Sequence, residues 1–100
     1  MKFDRNGYAP SILNTENGRC YVCKKYGDTA RHEIYGAANR QISKRAGLWF
    51  YVCPRCHDVI HLKPDDGLID RTMKKIGQSK YLESHTRDEW LKMIGRFYDD

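Results

Sequence analysis

The sequence predicts a small α+β domain stapled by a metal ion, with a strand–loop–strand–helix core followed by C-terminal helices. Three observations predict it. Four cysteines fall into two pairs, Cys20-x2-Cys23 and Cys53-x2-Cys56. The apolar run LWFYV at 48–52, rich in aromatic and β-branched residues, leads directly into the second pair. Beyond it, apolar residues recur at helical spacing. One hundred residues suffice for one core and not for two, and a chain this short gains much from a staple.

The elements follow in order. Residues 1–18 carry Gly, Pro, Asn and Ser without a clear period, and read as an irregular arm packed on the core by Phe3, Tyr8, Ile12 and Leu13. Residues 19–62 form the core. RCYVCKKYGD makes a β-turn structure around Cys20 and Cys23, and Thr29 to Tyr35 form a short strand. GAANRQISKRAG, interrupted by Gly and Ala, reads as a long loop with at most one helical turn. Leu48 to Val52 is the strongest strand signal. Pro54 suits the first turn of a helix, where its missing N–H is no loss, so a helix runs from there to Leu62. Residues 63–100 supply the C-terminal helices. Ile69, Met73 and Ile76 define one apolar face, which Gly77 weakens without breaking. Thr86-Arg87-Asp88-Glu89 is a capping box, and Trp90, Ile94 and Phe97 repeat behind it at helical spacing.

A polar start, MKFDRNGYAP, and a longest apolar run of only LWFYVC point to neither a secretory signal nor a membrane span. A cytoplasmic location is the expectation, and there paired CxxC motifs bind metal rather than form disulfides. Two CxxC turns present four thiolates to one ion, so Cys20, Cys23, Cys53 and Cys56 are expected to hold a structural zinc. The formal charge of +5 and the pI near 9.1 favour an anionic partner.

The cysteines leave His57 and His61 unassigned. On a helix starting at Pro54 they stand four apart on one face, a ready bidentate site. His32, carried back by a hairpin, is the candidate third ligand.

CxxC, a His-containing strand, a loop, an apolar strand and CxxCHxxxH together resemble the HNH endonucleases, the ββα-metal or His-Me finger nucleases, from Cys20 to His61. RHEIYGAANR, YVCPRCH and IGRFYDD also look like small phage-encoded proteins of this type. The resemblance implies a treble-clef-like ββα-metal core in a phage or bacterial intracellular protein, acting on DNA. It implies that His57 and His61 bind a catalytic divalent cation such as Mg²⁺ or Mn²⁺. One overlay of RHEI makes His32 the third ligand and Glu33 the general base. The other makes His32 the base, with Arg31 at a ligand position that a guanidinium cannot fill. Both stay open on the sequence. The family's Asn is displaced here to Asn39, read equally as a catalytic-loop residue or as a turn residue.

The expected chemistry is hydrolysis of a DNA phosphodiester with little sequence preference, the ion polarising the phosphoryl oxygen and His32 or Glu33 accepting the proton of water. Arg31, Arg40, Lys44, Arg45 and Arg55 are candidate phosphate contacts. The rival reading is a zinc module that binds nucleic acid or a protein and cuts nothing.

Overall fold

A computed structural model describes residues 3–98; Met1 and Lys2 of the arm, and Asp99 and Asp100 of IGRFYDD, lie outside the described residues. Two strands, β1 (Ala30–Glu33) and β2 (Trp49–Val52), pair antiparallel, with His32 opposite Phe50 and Glu33 opposite Trp49. β1 is shorter than the expected Thr29–Tyr35. Its end leaves the ladder because the buried Ser43 hydroxyl takes over the pairing. Ser43 Oγ accepts from the Tyr35 N–H at 3.1 Å and donates to the Tyr35 carbonyl at 2.8 Å.

Between the strands, where a loop was expected, stand a 3-10 turn (Ala37–Asn39) and α1 (Arg40–Arg45). The two glycines of this stretch, at 36 and 47, bound the helical part instead of interrupting it. α2 (Pro54–Leu62) has the expected limits. Cys53 is its N-cap, its sulfur accepting from the Cys56 N–H at 3.4 Å, and the chain leaves the helix through left-handed Lys63. α3 (Leu68–Leu82) and α4 (Arg87–Ile94) follow. The capping box of α4 is complete: Thr86 Oγ1 accepts from the Glu89 N–H at 3.1 Å, and Glu89 accepts from the Thr86 N–H at 2.8 Å. Such a cap is worth about 1 kcal/mol. Phe97 falls beyond α4, since Gly95 turns the chain at φ +94°, but it still packs against the core.

Both faces of the hairpin are covered. Leu48, Phe50 and Val52 are buried on one, with Ile60 of α2 in the same core. On the other, the N-terminal arm lies across Trp49: the indole Nε1–H donates to the Ala9 carbonyl at 2.8 Å, and the Tyr8 ring meets the indole edge to face at 5.5 Å. The arm is tied at Ala9 to the Lys44 carbonyl and at Ile12 to the Gly47 carbonyl, each at 2.9 Å. Leu13 is buried as expected, whereas Phe3 and Ile12 are 50% and 36% exposed and do not anchor the arm. Its backbone hydrogen bonds do that instead.

Two glycines are close-approach points. At Gly77 an added Cβ would lie 2.9 Å from the Tyr35 hydroxyl and 3.0 Å from Ile34 Cδ1, so the residue that weakens α3 as a helix lets it sit against the end of β1. At Gly47, φ is +72° and a Cβ would lie 2.3 Å from the Pro10 carbonyl oxygen. Among the described residues no helix is long and apolar enough to cross a membrane.

Gly47→Ala is expected to destabilise the protein by about 1–3 kcal/mol from the left-handed backbone alone, and more from the collision with Pro10. A lowered urea midpoint checks this; an unchanged midpoint would mean that the arm is not fixed there.

Candidate functional site

The two ends of the site share one helix. Cys53 and Cys56 stand at the start of α2, and the turn at Cys20–Cys23 faces them. That turn is closed by the Cys23 N–H donating to Cys20 Sγ at 3.5 Å, by the Lys24 N–H to the Cys20 carbonyl at 2.9 Å, and by the left-handed φ of +69° at Lys24. The four sulfurs lie within 4.8 Å of one another and form no disulfide. Cys23 and Cys53 Sγ are 3.9 Å apart; four sulfurs at about 2.3 Å from a tetrahedral zinc stand about 3.8 Å apart. This cluster can hold a metal ion such as zinc.

The thiols are already unequal. Burial alone would raise Cys20, but the backbone N–H groups of Cys23, Cys53 and Val22 together outweigh it and draw the thiol down to about 6. Burial pushes Cys56 up, helped by hydrogen bonds with the neighbouring thiols. Without an ion the cluster therefore favours Cys20 as a thiolate and Cys56 as a thiol, whose proton a bound cation would displace.

One residue along from Cys56 the helix turns by about 100°, which carries His57 out of the sulfur cluster. His61 follows one turn later. The hairpin brings His32 to them: its ring lies 5.5 Å from both His57 and His61, and 5.4 Å from Phe50 beneath it. The ligating atoms of the three lie within 4.8 Å of one another. His57 Nε2 and His61 Nε2 are 3.1 Å apart, close to the about 3.0–3.4 Å separating two nitrogens that share an ion at about 2.1 Å. Burial, reinforced by the other two imidazoles, holds His32 down to about 4, against weaker opposing pulls from Glu33 and Asp70. It is therefore neutral near pH 7, the form that ligates.

His32, His57 and His61 line an open cavity of about 300 Å³ together with Arg31, Glu33 and Arg40. Glu33 is held on both oxygens: the Tyr8 hydroxyl donates to Oε2 at 2.8 Å and Arg40 Nε to Oε1 at 2.6 Å. Burial would raise the carboxyl, but these two donors outweigh it and keep it ionised below its usual range. Tyr8 responds in kind, pushed up to about 12 by burial and by the Glu33 charge. Arg31 is ion-paired with Asp4 and its guanidinium lies over two neighbouring rings, 4.5 Å from the Tyr8 centroid and 5.0 Å from that of Trp49.

Other candidates stand apart. Asn39 does not line the cavity; its amide donates to the Ile94 carbonyl at 3.3 Å and ties the turn to the end of α4. Lys44 lies over the Tyr8 ring at 4.8 Å. Arg45 is exposed at the end of α1, and Arg55 lines a groove beside the cysteines. Tyr8 and Asp4 are the residues that sequence reasoning missed. Tyr8 read only as a packing residue, because nothing in an irregular arm signals a bond to a carboxylate 25 positions away. Comparisons with protein-family models, curated proteins and solved structures yield no match.

A histidine with a lowered folded pKa contributes stability that is present above its unfolded value and lost as pH falls through the folded one. After mild chelation that leaves thiolate-bound metal in place, stability is expected to drop between about pH 6.5 and about 4 as His32 is forced to protonate. His32→Gln should flatten that part of the profile, measured by urea midpoints; an unchanged slope would mean that His32 is already protonated or solvated in the folded protein.

Proposed function

We propose that the chain is a metal-dependent DNA endonuclease of the HNH type, hydrolysing phosphodiester bonds with low sequence specificity. The observation that carries the proposal is the meeting of His32, His57 and His61 on a second cluster of ligating atoms, beside one that is all cysteine. Four thiolates close the coordination shell of a structural zinc; three imidazoles leave positions open, as working sites do. A nitrogen-only set suits a transition ion better than Mg²⁺, which prefers oxygen ligands. A divalent ion held there supplies Lewis-acid polarisation of a phosphoryl oxygen and offsets charge on the leaving oxygen.

The chain's own groups divide the remaining work. The gathering of His32 with the other imidazoles favours the overlay in which it is a ligand, and Arg31, ion-paired with Asp4, cannot be one. Glu33 then stands at the base position. Its carboxylate is ionised and, with two of its roughly four lone-pair sites taken, can still accept a proton from water lying in the cavity. Arg40, whose side chain is 66% exposed at the rim, is placed to meet a phosphate oxygen.

One observation favours the rival zinc module. A carboxylate bonded by both Tyr8 and Arg40, with its pKa held low, is a weak base near neutral pH.

Supercoiled plasmid separates the two readings. Purified protein should nick it with Mn²⁺ or Ni²⁺, more slowly with Mg²⁺, and not in EDTA. His57→Ala should lose more than the about 10–100-fold that removal of an outer-shell partner costs, with thiolate-bound zinc unchanged. DNA retention without cleavage by the wild type would instead support the zinc module. Glu33→Gln should slow cleavage by about 10²-fold or more at unchanged DNA affinity; a rate within about twofold of wild type would remove Glu33 from the base role.

A further inference from the structure

A second cavity opens beside the first, and Arg31 lines both. Where the first is walled by imidazoles and charge, the second, also about 300 Å³, is walled by Phe3, Tyr8, Ala9, Pro10 and Trp49, and its charged groups are Arg31 and the Asp4 carboxylate paired with it. Tyr8 and Trp49 stand edge to face, 73° apart in plane, and the Arg31 guanidinium lies over both. Lys44 approaches the Tyr8 ring at 4.8 Å, so cations flank the aromatic wall. Phe3 is half exposed although it is the most apolar residue of the arm's start, and the core makes no use of it.

A ligand that fills both cavities must carry an anionic group next to a flat, largely apolar ring. We infer that the aromatic cavity receives an unpaired nucleobase adjoining the scissile phosphate, so that the substrate is single-stranded DNA or DNA with an unpaired nucleotide at the cut. This rests on the DNA-cleaving reading above and names its substrate class. A base inside a duplex is stacked and paired and cannot enter a side cavity, whereas an unpaired base stacks readily on aromatic rings and on a guanidinium plane. The ion pair with Asp4 holds that plane in place beside the rings. Stacking needs no particular base, in keeping with low sequence preference.

The test is fluorescence anisotropy in EDTA, on protein whose zinc content is confirmed, with a labelled single strand and the duplex made from it. The single strand should bind at least about fivefold tighter than the duplex. Phe3→Ala should weaken single-strand binding by about tenfold, the size of one lost base–aromatic stack, and leave duplex binding within about twofold. Phe3→Trp should keep wild-type affinity. Because Phe3 is exposed, these variants leave the core intact. Equal affinity for the two forms, or a Phe3→Ala variant that weakens both alike or neither, overturns the inference. Plasmid nicking measured alongside keeps the two claims separate. Nicking without strand preference defeats the inference alone; strand preference without cleavage under any cation defeats the nuclease reading.

Discussion

The rotation of α2 about its own axis is the constraint on which the rest of the site depends. Cys53 caps the helix and Pro54 occupies its first position, so its start cannot slip by a residue. With 3.6 residues per turn, that start sends Cys56 toward Cys20 and Ile60 into the core. The neighbouring stripe then carries His57 and His61 to the strand side. A slip of one position would bury a histidine, expose a cysteine and separate both clusters. The helix start that gathers the four sulfurs therefore also aims the imidazoles.

The hairpin completes the arrangement from the other side. Antiparallel register sets His32 opposite Phe50, whose buried ring supports the imidazole, and leaves Arg31 and Glu33 on the alternate face. The cavity lies along the edge of β1, where side chains from both faces reach it. That edge is kept in shape by groups remote from it. Ser43 ends the strand, Gly47 admits Pro10, and Gly77 admits Tyr35, whose hydroxyl donates to the Lys74 carbonyl. The N-terminal arm is thus part of the site, since Tyr8 and Asp4 hold the two charged neighbours of His32.

Environment divides the acid–base character of adjacent residues. Burial keeps His32 neutral and ready to ligate, while Tyr8 and Arg40 keep Glu33 ionised despite partial burial. In consecutive positions of one strand, alternation to opposite faces gives one residue an apolar and imidazole surrounding and the next a set of donors.

Much of this was legible in the chain. CxxC pairs, a proline at the first helical turn and histidines four apart have local meanings, because metal geometry and helix period act over a few residues. The limits of α2, the capping box of α4 and the ligand pairs within each cluster follow from them, and the hairpin then adds His32. Fold context decided the rest. α1 was legible only as a helical turn within a loop, because glycines that bound a short helix look like glycines that break one. Asn39 could be placed only once α4 lay beside it, accepting its amide hydrogen bond at Ile94. The bond from Tyr8 to Glu33 spans an irregular arm with no periodicity, so no local pattern encodes it. The sequence by itself determined which atoms can bind metal, since ligand type and spacing are short-range properties. Which carboxylate, ring and guanidinium surround them was decided by tertiary structure, because packing across the two faces of the hairpin brings those groups together.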